Sequence, residues 1–320
     1  MLLIVSNKSD IATDFLISRL YERNISFIRI NTEDYLSEWD VDFQIDHNNA
    51  NALISFQNGN TLPVENIEGA YIRQPKLPKL RVTDSDKEFA KRETGEALRS
   101  LWRFIKDDVW LNAPHHILRA SNKPEQLRIA REIGFTIPKT CITANHNFAY
   151  DFYCQNGKNV IAKAVKHGFL YDGKEAKVAG TQHIDQVYFD NACDYANIPM
   201  IFQEKIEKHY DIRITVVGNK VFSTGIYSQE HQETSVDWRL ADHFKIPLRQ
   251  EQIEIPTTIE HLCVNITQRM NLKYSAIDMI KSQDGNYYFL ELNPNGQWAW
   301  LEQVAGHLIR DALIDALINE

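Results

Sequence analysis

The residues best suited to chemistry in this sequence are two carboxylates near its C-terminal end, Asp278 and Glu291. Each lies in a run of apolar and aromatic residues, at 274–280 and 287–293, and Asp284-Gly285 lies between the two runs. An Asp-Gly pair between two such runs is a strong signal for a tight β-hairpin. The sequence therefore predicts two paired antiparallel strands that each carry one acid.

The register of this hairpin predicts that the two acids are neighbours. With Asp-Gly as a two-residue turn, counting outward along both strands puts Asp278 opposite Glu291. Directly opposed side chains have Cβ atoms about 4.5–5.5 Å apart, so two negative charges there repel each other. A solvated hairpin face is the alternative interpretation, but the apolar residues around both acids are typical of an interior strand.

A divalent cation would remove the repulsion between the two acids. Asn293 lies on the same face as Glu291, because side chains alternate along a strand, and would add a neutral oxygen ligand. Ligand sets made only of oxygen suit Mg²⁺, which binds through one or two carboxylates together with substrate phosphates. The predicted metal ligands are Asp278, Glu291 and Asn293.

These residues resemble the signature of a known enzyme family. Asp278 followed by Glu291-Leu-Asn293-Pro-Asn295-Gly is similar to the metal-binding motif of the ATP-grasp superfamily, enzymes that activate carboxylates with ATP. The longer stretch from Asn293 to Glu302, with Trp298 and Trp300, resembles the maturases of microviridin-type peptides (graspetides). The resemblance implies an α/β (α+β) ATP-grasp fold that holds ATP between its central and C-terminal lobes, with ATP and Mg²⁺ as cofactors.

Four cations elsewhere in the chain are candidates to hold anionic groups. Lys163 lies in the middle of an apolar run at 159–165, and a lysine in a buried strand needs an anionic partner such as phosphate. The resemblance implies that Lys123 contacts the nucleotide, with a solvated lysine before a helix as the alternative. It also implies that Arg213 and Arg239 meet phosphate or acyl-phosphate as the catalytic residues, for which a planar guanidinium is suited.

The segment from Pro199 to Ile206 is similar to the strand and hinge on which adenine sits in this superfamily. By resemblance, Asp211 would bond the ribose hydroxyls or help to close the hinge. A surface ion pair between Asp211 and Arg213 is the alternative. The cofactor-binding residues implied in this region are Gln203, Glu204, Lys205, Ile206 and Asp211.

Three further features are secondary candidates. The loop from His167 to Gly180 follows Lys163 and could fold over the phosphates, with its backbone N–H groups as donors. The resemblance places Arg73, after a predicted strand, near the expected inter-domain cleft as a site candidate, but a structural or surface role is the favoured interpretation. Trp298 and Trp300 are expected to wall the site.

The elements that must position these residues are predicted in three units. Residues 2–5, a helix and residues 25–30 form a βαβ unit with a parallel sheet, in which no glycine-rich phosphate loop follows the first strand. We predict an N-terminal pre-ATP-grasp domain at 1–115, a central lobe at 116–200 and a C-terminal lobe with the metal site at 201–320. A single last helix is expected from Val304 to Ile318.

Composition and net charge limit the classes of partner and the location that we expect for this protein. The chain has 320 residues and a net charge of −8, which argues against non-specific attraction to nucleic acid or to anionic membranes. Its four cysteines show no CxxC spacing, and free thiols fit a reducing cytoplasm. The apolar run at 1–5 is too short for a signal peptide or a membrane span. We expect a cytoplasmic protein.

The resemblance implies a ligase that phosphorylates Asp or Glu side chains of a ribosomal precursor peptide, which has a leader and an acidic and Ser/Thr core. A second side chain then attacks, giving an ester from Ser or Thr, which we slightly favour, or an amide from Lys. Two alternatives stay open: a ligase that adds an amino acid to a protein C-terminus or a small acid, and a nucleotide-binding regulatory module without turnover. A homodimer is expected by analogy.

Overall fold

The N-terminal part of the chain contains two small sheets. The computed structural model describes residues 1–80, 82–166, 169–172, 175–178, 180–190 and 197–319. The first elements are β1 (Leu2–Ser6), α1 (Ile11–Glu22), β2 (Phe27–Asn31), β3 (Trp39–Ile45), β4 (Ala50–Phe56), β5 (Thr61–Pro63), β6 (Gly69–Ile72) and α2 (Lys87–Phe104). Strand β1 pairs in parallel with both β2 and β6, which confirms the predicted βαβ unit. Strands β3, β4 and β5 form a separate antiparallel sheet.

The middle of the chain forms a four-stranded antiparallel sheet flanked by helices. Its elements are α3 (Pro114–Ala120), α4 (Lys123–Ile133), β7 (Thr140–Thr143), α5 (His146–Gln155), β8 (Val160–Ala164), β9 (Phe169–Asp172), β10 (Glu175–Val178), β11 (Gln182–Ile184), α6 (Gln186–Asp190) and β12 (Met200–Glu204). The sheet has the order β11-β8-β12-β7, and β9 pairs with β10 in a separate hairpin. Helix α4 begins where the Asn122 side chain accepts a hydrogen bond from the Glu125 N–H, at 2.9 Å.

The C-terminal part is built on a five-stranded antiparallel sheet in the order β15-β14-β13-β16-β17. Its elements are β13 (Lys208–Val217), β14 (Lys220–Ile226), α7 (Leu240–Phe244), β15 (Gln250–Gln252), α8 (Thr257–Arg269), β16 (Tyr274–Ser282), β17 (Tyr287–Asn293), α9 (Ala299–Ala305) and α10 (Ile309–Ile318). Helices α4 and α8 cover one face of this sheet with a continuous apolar core. The opposite face of the sheet carries the polar groups that surround Asp278 and Glu291.

The prediction of one last helix from Val304 to Ile318 is wrong. Helix α9 ends at Ala305, and Gly306 turns the chain with a φ of +69° before α10 begins at Ile309. The break lets α10 pack against the N-terminal sheet, where Leu313 joins a core that also contains Leu2. The end of the chain thus closes the N-terminal unit.

The predicted domain division stays a prediction. Strand β12 straddles the proposed boundary between residues 200 and 201 and is hydrogen-bonded within the central sheet. The predicted lid from 167 to 180 falls partly on residues 167, 168, 173, 174 and 179, which lie outside the described residues. In the part of the chain that is described, no helix has the length and apolarity that a membrane crossing needs.

The hairpin formed by β16 and β17 confirms that Asp278 and Glu291 are direct partners. Its turn differs from the prediction, because Ser282 donates its N–H to Asn286 across a three-residue loop rather than a two-residue one. That loop would shift the register by one residue. A β-bulge between Asp278 and Met279 shifts it back, so two departures from the predicted hairpin cancel.

Replacing Gly285 by Ala should destabilise the protein. Gly285 has a φ of +89°, where an L side chain strains the backbone by roughly 1–2 kcal/mol. A matched control is Gly95→Ala inside helix α2, where an added Cβ meets only the Arg99 side chain, at 3.4 Å or more. We expect that control to be neutral or stabilising by up to about 1 kcal/mol. Urea midpoints that move in the same direction for both variants would contradict the turn geometry.

Candidate active site

A cleft of about 920 Å³ lies between the central sheet and the C-terminal sheet. The predicted metal, cofactor-binding and catalytic residues all line this cleft except Arg213, which contacts one of the lining acids. The structure therefore brings together residues that are separated by as many as 170 positions in the sequence, from Lys123 to Asn293. A cavity of this size is typical of a small-molecule or cofactor site.

Sheet register places a row of charges across three strands. Arg213 on β13 is the direct partner of Asp278 on β16, and Asp278 is the partner of Glu291 on β17. Asp278 and Glu291 are each only 7% exposed. Arg213 Nη1 donates to Asp278 Oδ1 at 2.9 Å, and the Asn293 amide donates to Asp278 Oδ2 at 3.2 Å. The surface pair between Asp211 and Arg213, which was the alternative interpretation, is not formed.

Glu291 is held by two cations that come from different parts of the chain. Its Oε2 lies 3.1 Å from Lys123 Nζ, at the start of α4. Its Oε1 accepts a hydrogen bond from Arg239 Nη1, at 3.2 Å, from the loop before α7. Burial opposes ionisation of Glu291, but Lys123 and Arg239 outweigh it and hold the pKa of this carboxyl below its usual value. Glu291 is therefore an anion at neutral pH.

Asp278 and Lys163 behave differently from Glu291. Burial raises the pKa of Asp278, although Arg213 opposes the shift, and the nearby Glu291 adds to it. Burial lowers the pKa of Lys163 to about 8, and the nearby Lys123 and Arg239 cations act in the same direction. Lys163 Nζ donates to the Gln203 side chain at 3.0 Å. This lysine is close to its titration point under ordinary conditions.

The hinge segment connects the two sheets. The N–H of Glu204 donates to the Lys139 carbonyl at 2.9 Å, and the N–H of Lys205 donates to the Asn159 carbonyl at 3.0 Å. Both donors are thus used within the protein. Within the described part of the chain, the N–H of Ile206 has no such partner, and Ile206 lines the cleft.

Asp211 is engaged by a buried lysine that the sequence analysis missed. Lys208 Nζ lies 2.9 and 3.0 Å from the two Asp211 oxygens, and it also donates to the Val236 carbonyl at 3.1 Å. The Ser228 hydroxyl donates a short hydrogen bond to the same carboxylate. Lys208 and Asp211 therefore hold the loop that follows β14. Residues i and i+3 of a regular strand point to opposite faces, so the sequence gives no signal for this pair. The irregularity between Lys208 and Tyr210 in β13 brings the two side chains together.

Asp237 is a second residue that the sequence analysis missed. Its carboxylate is 6% exposed and accepts hydrogen bonds from Arg239 Nε at 2.9 Å and from the Arg239 backbone N–H at 3.1 Å. The Thr181 N–H also points to it, at 3.4 Å. Burial raises and Arg239 lowers the pKa of Asp237, and the net shift is downward. The sign of this role in the sequence is that Asp237 lies two residues before the candidate Arg239.

The tryptophans are arranged differently from the prediction. Trp298 does not wall the cleft: it is fully buried against the N-terminal unit, where its indole N–H donates to the Tyr71 hydroxyl at 3.2 Å. Trp300 packs against Trp238 with ring centroids 5.8 Å apart, and Trp238 lines the cleft. The Arg213 guanidinium lies 5.9 Å from the Trp238 ring.

Three buried side chains hold the backbone of the acid-bearing hairpin. Gln126 donates to the Leu292 carbonyl at 2.7 Å and accepts from the Leu292 N–H at 2.9 Å. Asn112 donates to the Tyr274 and Pro294 carbonyls, both at 2.8 Å. Arg73 is completely buried and donates to the Gly296 carbonyl at 3.0 Å, so it has the structural role that the sequence favoured.

The donor set fits a hard divalent cation. Two carboxylates and one amide from adjacent strands meet at one point of the cleft, and all their free acceptor atoms are oxygens. Imidazole and thiol groups are absent from the described residues around these acids in the cleft, apart from His243 at its far side. Such a set favours Mg²⁺ over the softer transition metals.

Comparison with known proteins gives consistent matches. Residues 120–317 match the family described as the RimK-like ATP-grasp domain. A RiPP-associated ATP-grasp ligase from Chryseobacterium gregarium, solved with ADP and a leader and core peptide, is 26% identical with a TM-score of 0.91, covering 99% of this chain and 96% of that one. The macrocyclase MdnC from Microcystis aeruginosa, bound with precursor peptide MdnA, is 24% identical with a TM-score of 0.86, covering 100% and 99%.

A curated relative carries a different name. The tetrahydromethanopterin:α-L-glutamate ligase of Methanocaldococcus jannaschii is 24% identical over 213 residues, which are 65% of this chain and 70% of that protein.

Replacing Gln126 by Leu should destabilise the protein by about 1–3 kcal/mol. The substitution keeps the volume but leaves the Leu292 N–H and carbonyl buried without their partner. Gln283→Leu, at an exposed position in the turn of the same hairpin, is the matched control and should change stability by less than about 0.5 kcal/mol. Equal losses for the two variants in urea unfolding would show that the Gln126 contacts contribute nothing.

Proposed function

Because this chain belongs to the RimK-like ATP-grasp family, we propose that it is an ATP-dependent carboxylate ligase that closes macrocycles in a ribosomally made precursor peptide. One observation carries this proposal: the whole chain is similar to a ligase solved with ADP and a leader and core peptide. The charge row across β13, β16 and β17 supports it, because activation of a carboxylate by ATP needs a site for several anionic groups. The substrate would be a peptide with a leader and an acidic and Ser/Thr core.

Nucleotide and metal would bind along the cleft. The Ile206 N–H would meet the edge of adenine, Lys123 and Lys163 would contact phosphate oxygens, and Asp278, Glu291 and Asn293 would hold Mg²⁺. When bound, Mg²⁺ would offset the negative charge that develops during transfer. Asp211 would act on the hinge side through Lys208, rather than directly on ribose, since Lys208 and Ser228 occupy its oxygens.

The protein's own role in phosphoryl transfer is to position the reacting groups and to neutralise their negative charge. A carboxylate oxygen of the peptide attacks the terminal phosphorus, the bond to the leaving ADP oxygen breaks, and an acyl-phosphate forms. Arg213 would orient the peptide carboxylate from the sheet, and Arg239 would follow the transferred group from its loop. Asp237 would keep the Arg239 guanidinium aimed into the cleft.

Ring closure needs no protein nucleophile. A Ser or Thr hydroxyl, or a Lys amine, of the same peptide attacks the acyl carbon, phosphate leaves, and the nucleophile loses a proton. Trp238 would exclude water from the acyl-phosphate, since it packs over Arg213 at the cleft wall. The balance is one ATP consumed and one water removed from the peptide for each linkage.

A second function has a specific observation in its favour. The relative from Methanocaldococcus jannaschii is a glutamate ligase, so this chain could instead join a free amino acid to a carboxylate. The retained acids and cations disfavour the third possibility, a regulatory module that binds nucleotide without turnover. The three functions differ in the mass of the product.

Co-expression with a precursor peptide encoded beside the gene tests the function. Loss of one water per linkage in the intact peptide mass is expected, whereas gain of a residue mass would establish amino-acid addition. Asp278→Asn and Glu291→Gln should each abolish the mass change, because the metal would lose an anionic ligand. Asp284→Asn, at an exposed position in the turn of the same hairpin, is the matched control. An unchanged peptide mass with the wild-type chain would refute the macrocyclase function.

Nucleotide affinity should fall as pH rises through about 8, the pKa to which burial lowers Lys163. Below that pH the lysine is charged and attracts phosphate; above it the neutral amine must take up a proton on binding, which weakens binding by up to about tenfold per pH unit. Lys163→Arg stays charged over this range, so its pH dependence should be flat. Calorimetry with a non-hydrolysable ATP analogue measures the nucleotide affinity of the wild-type chain and of Lys163→Arg at each pH. Parallel profiles for the two proteins would exclude Lys163 as the titrating group.

We also infer a cytoplasmic homodimer. The dimer rests on analogy with related enzymes, and the location rests on four cysteines that show no CxxC spacing. Light scattering on the purified chain tests the oligomeric state.

A further inference from the structure

A group of three potential metal ligands lies outside the cleft. Asp107 follows α2, and His115 and His116 form the first turn of α3. Their ligand atoms all lie within 4.8 Å of one another. His116 also lies beside the backbone of Asn271, just after α8 in the C-terminal unit. None of these residues lines the cleft, so the group is separate from the candidate active site.

The distances approach those of a tetrahedral site. His115 Nε2 lies 3.2 Å from Asp107 Oδ2, and His116 Nε2 lies 3.8 Å from the same oxygen. Ligands placed about 2.0–2.1 Å from a tetrahedral zinc ion are about 3.3 Å apart. The edge between His115 and Asp107 already has this length, and the edge between His116 and Asp107 needs a movement of about half an ångström. The edge between the two histidines is at most 4.8 Å and closes by rotation of the two imidazoles. The Asp107 side chain is 55% exposed, which leaves room for an entry path and a water ligand.

The ligand types select a class of metal. Two imidazoles and one carboxylate suit Zn²⁺ and similar transition metals, whereas Mg²⁺ prefers oxygen ligands only. The contact between His116 and the Asn271 backbone would fix the orientation of one imidazole, as partners of metal-bound histidines commonly do.

We propose that Asp107, His115 and His116 bind a Zn²⁺-type ion that joins the N-terminal unit to α3. The ion would close a short loop between residues 107 and 116. This loop carries Asn112, whose side chain accepts from the Lys273 and Tyr274 N–H groups and donates to the Tyr274 and Pro294 carbonyls. The metal would therefore stiffen the loop whose Asn112 side chain holds the acid-bearing hairpin.

Titration of the full chain with Zn²⁺ alone, with excess Mg²⁺ present and nucleotide absent, tests the proposal. Calorimetry should give one equivalent of tight binding, and Co²⁺ in place of Zn²⁺ should give the intense visible absorption of a tetrahedral site. Asp107→Asn, His115→Ala and His116→Ala should each weaken binding at least about tenfold. The matched controls are Asp108→Asn and His261→Ala, which remove a neighbouring acid and a helical histidine outside the group.

Two further measurements separate this site from the cleft. Asp278→Asn should leave the Zn²⁺ titration unchanged, and Zn²⁺ should raise the melting temperature of the wild-type chain but not that of Asp107→Asn. Binding that persists in the three ligand variants, or is lost in Asp278→Asn, would overturn the proposal. So would an absence of binding at millimolar Zn²⁺ in the wild-type chain.

Discussion

The structure depends on one constraint: two buried acids lie side by side on adjacent strands and must be neutralised. Glu291 pairs with Lys123 from α4 and with Arg239 from the loop before α7. Asp278 pairs with Arg213 from the next strand. Leaving a buried charge without its partner is strongly destabilising, by about 3–5 kcal/mol. Charge balance at one point therefore ties the start of α4, the C-terminal sheet and the loop after β14 into a single site.

A second constraint follows from the position of the hairpin at the edge of its sheet. Strand β17 has β16 on one side only, so its other edge presents backbone groups that need partners once they are buried. The Gln126 side chain supplies both partners for Leu292, and the Thr136 carbonyl accepts from the Phe289 N–H at 2.9 Å. The edge is thus covered without a further strand, which leaves the face of the hairpin free for the cleft.

The sequence predicted the pairing of Asp278 with Glu291 for a partly wrong reason, since a longer turn and a bulge cancel. Local signals identified the strands, the first βαβ unit and the isolated Lys163, because alternation and a buried charge are visible in a single segment. The partners of Asp211 and the buried position of Trp298 were not predictable in this way. They depend on contacts with Ser228 and Tyr71 that only the folded chain brings close.

The two arginines in the cleft differ in a way that bears on their roles. The Arg213 side chain is 8% exposed and tied to a directly opposed strand partner, so its position is set by the sheet. The Arg239 side chain is 53% exposed, lies on a loop and is held by Asp237 from one side. Under the proposed function, a guanidinium fixed by the sheet, as in Arg213, would suit a group that stays in place, such as the bound carboxylate. A guanidinium on a loop, as in Arg239, would suit the phosphoryl group that moves.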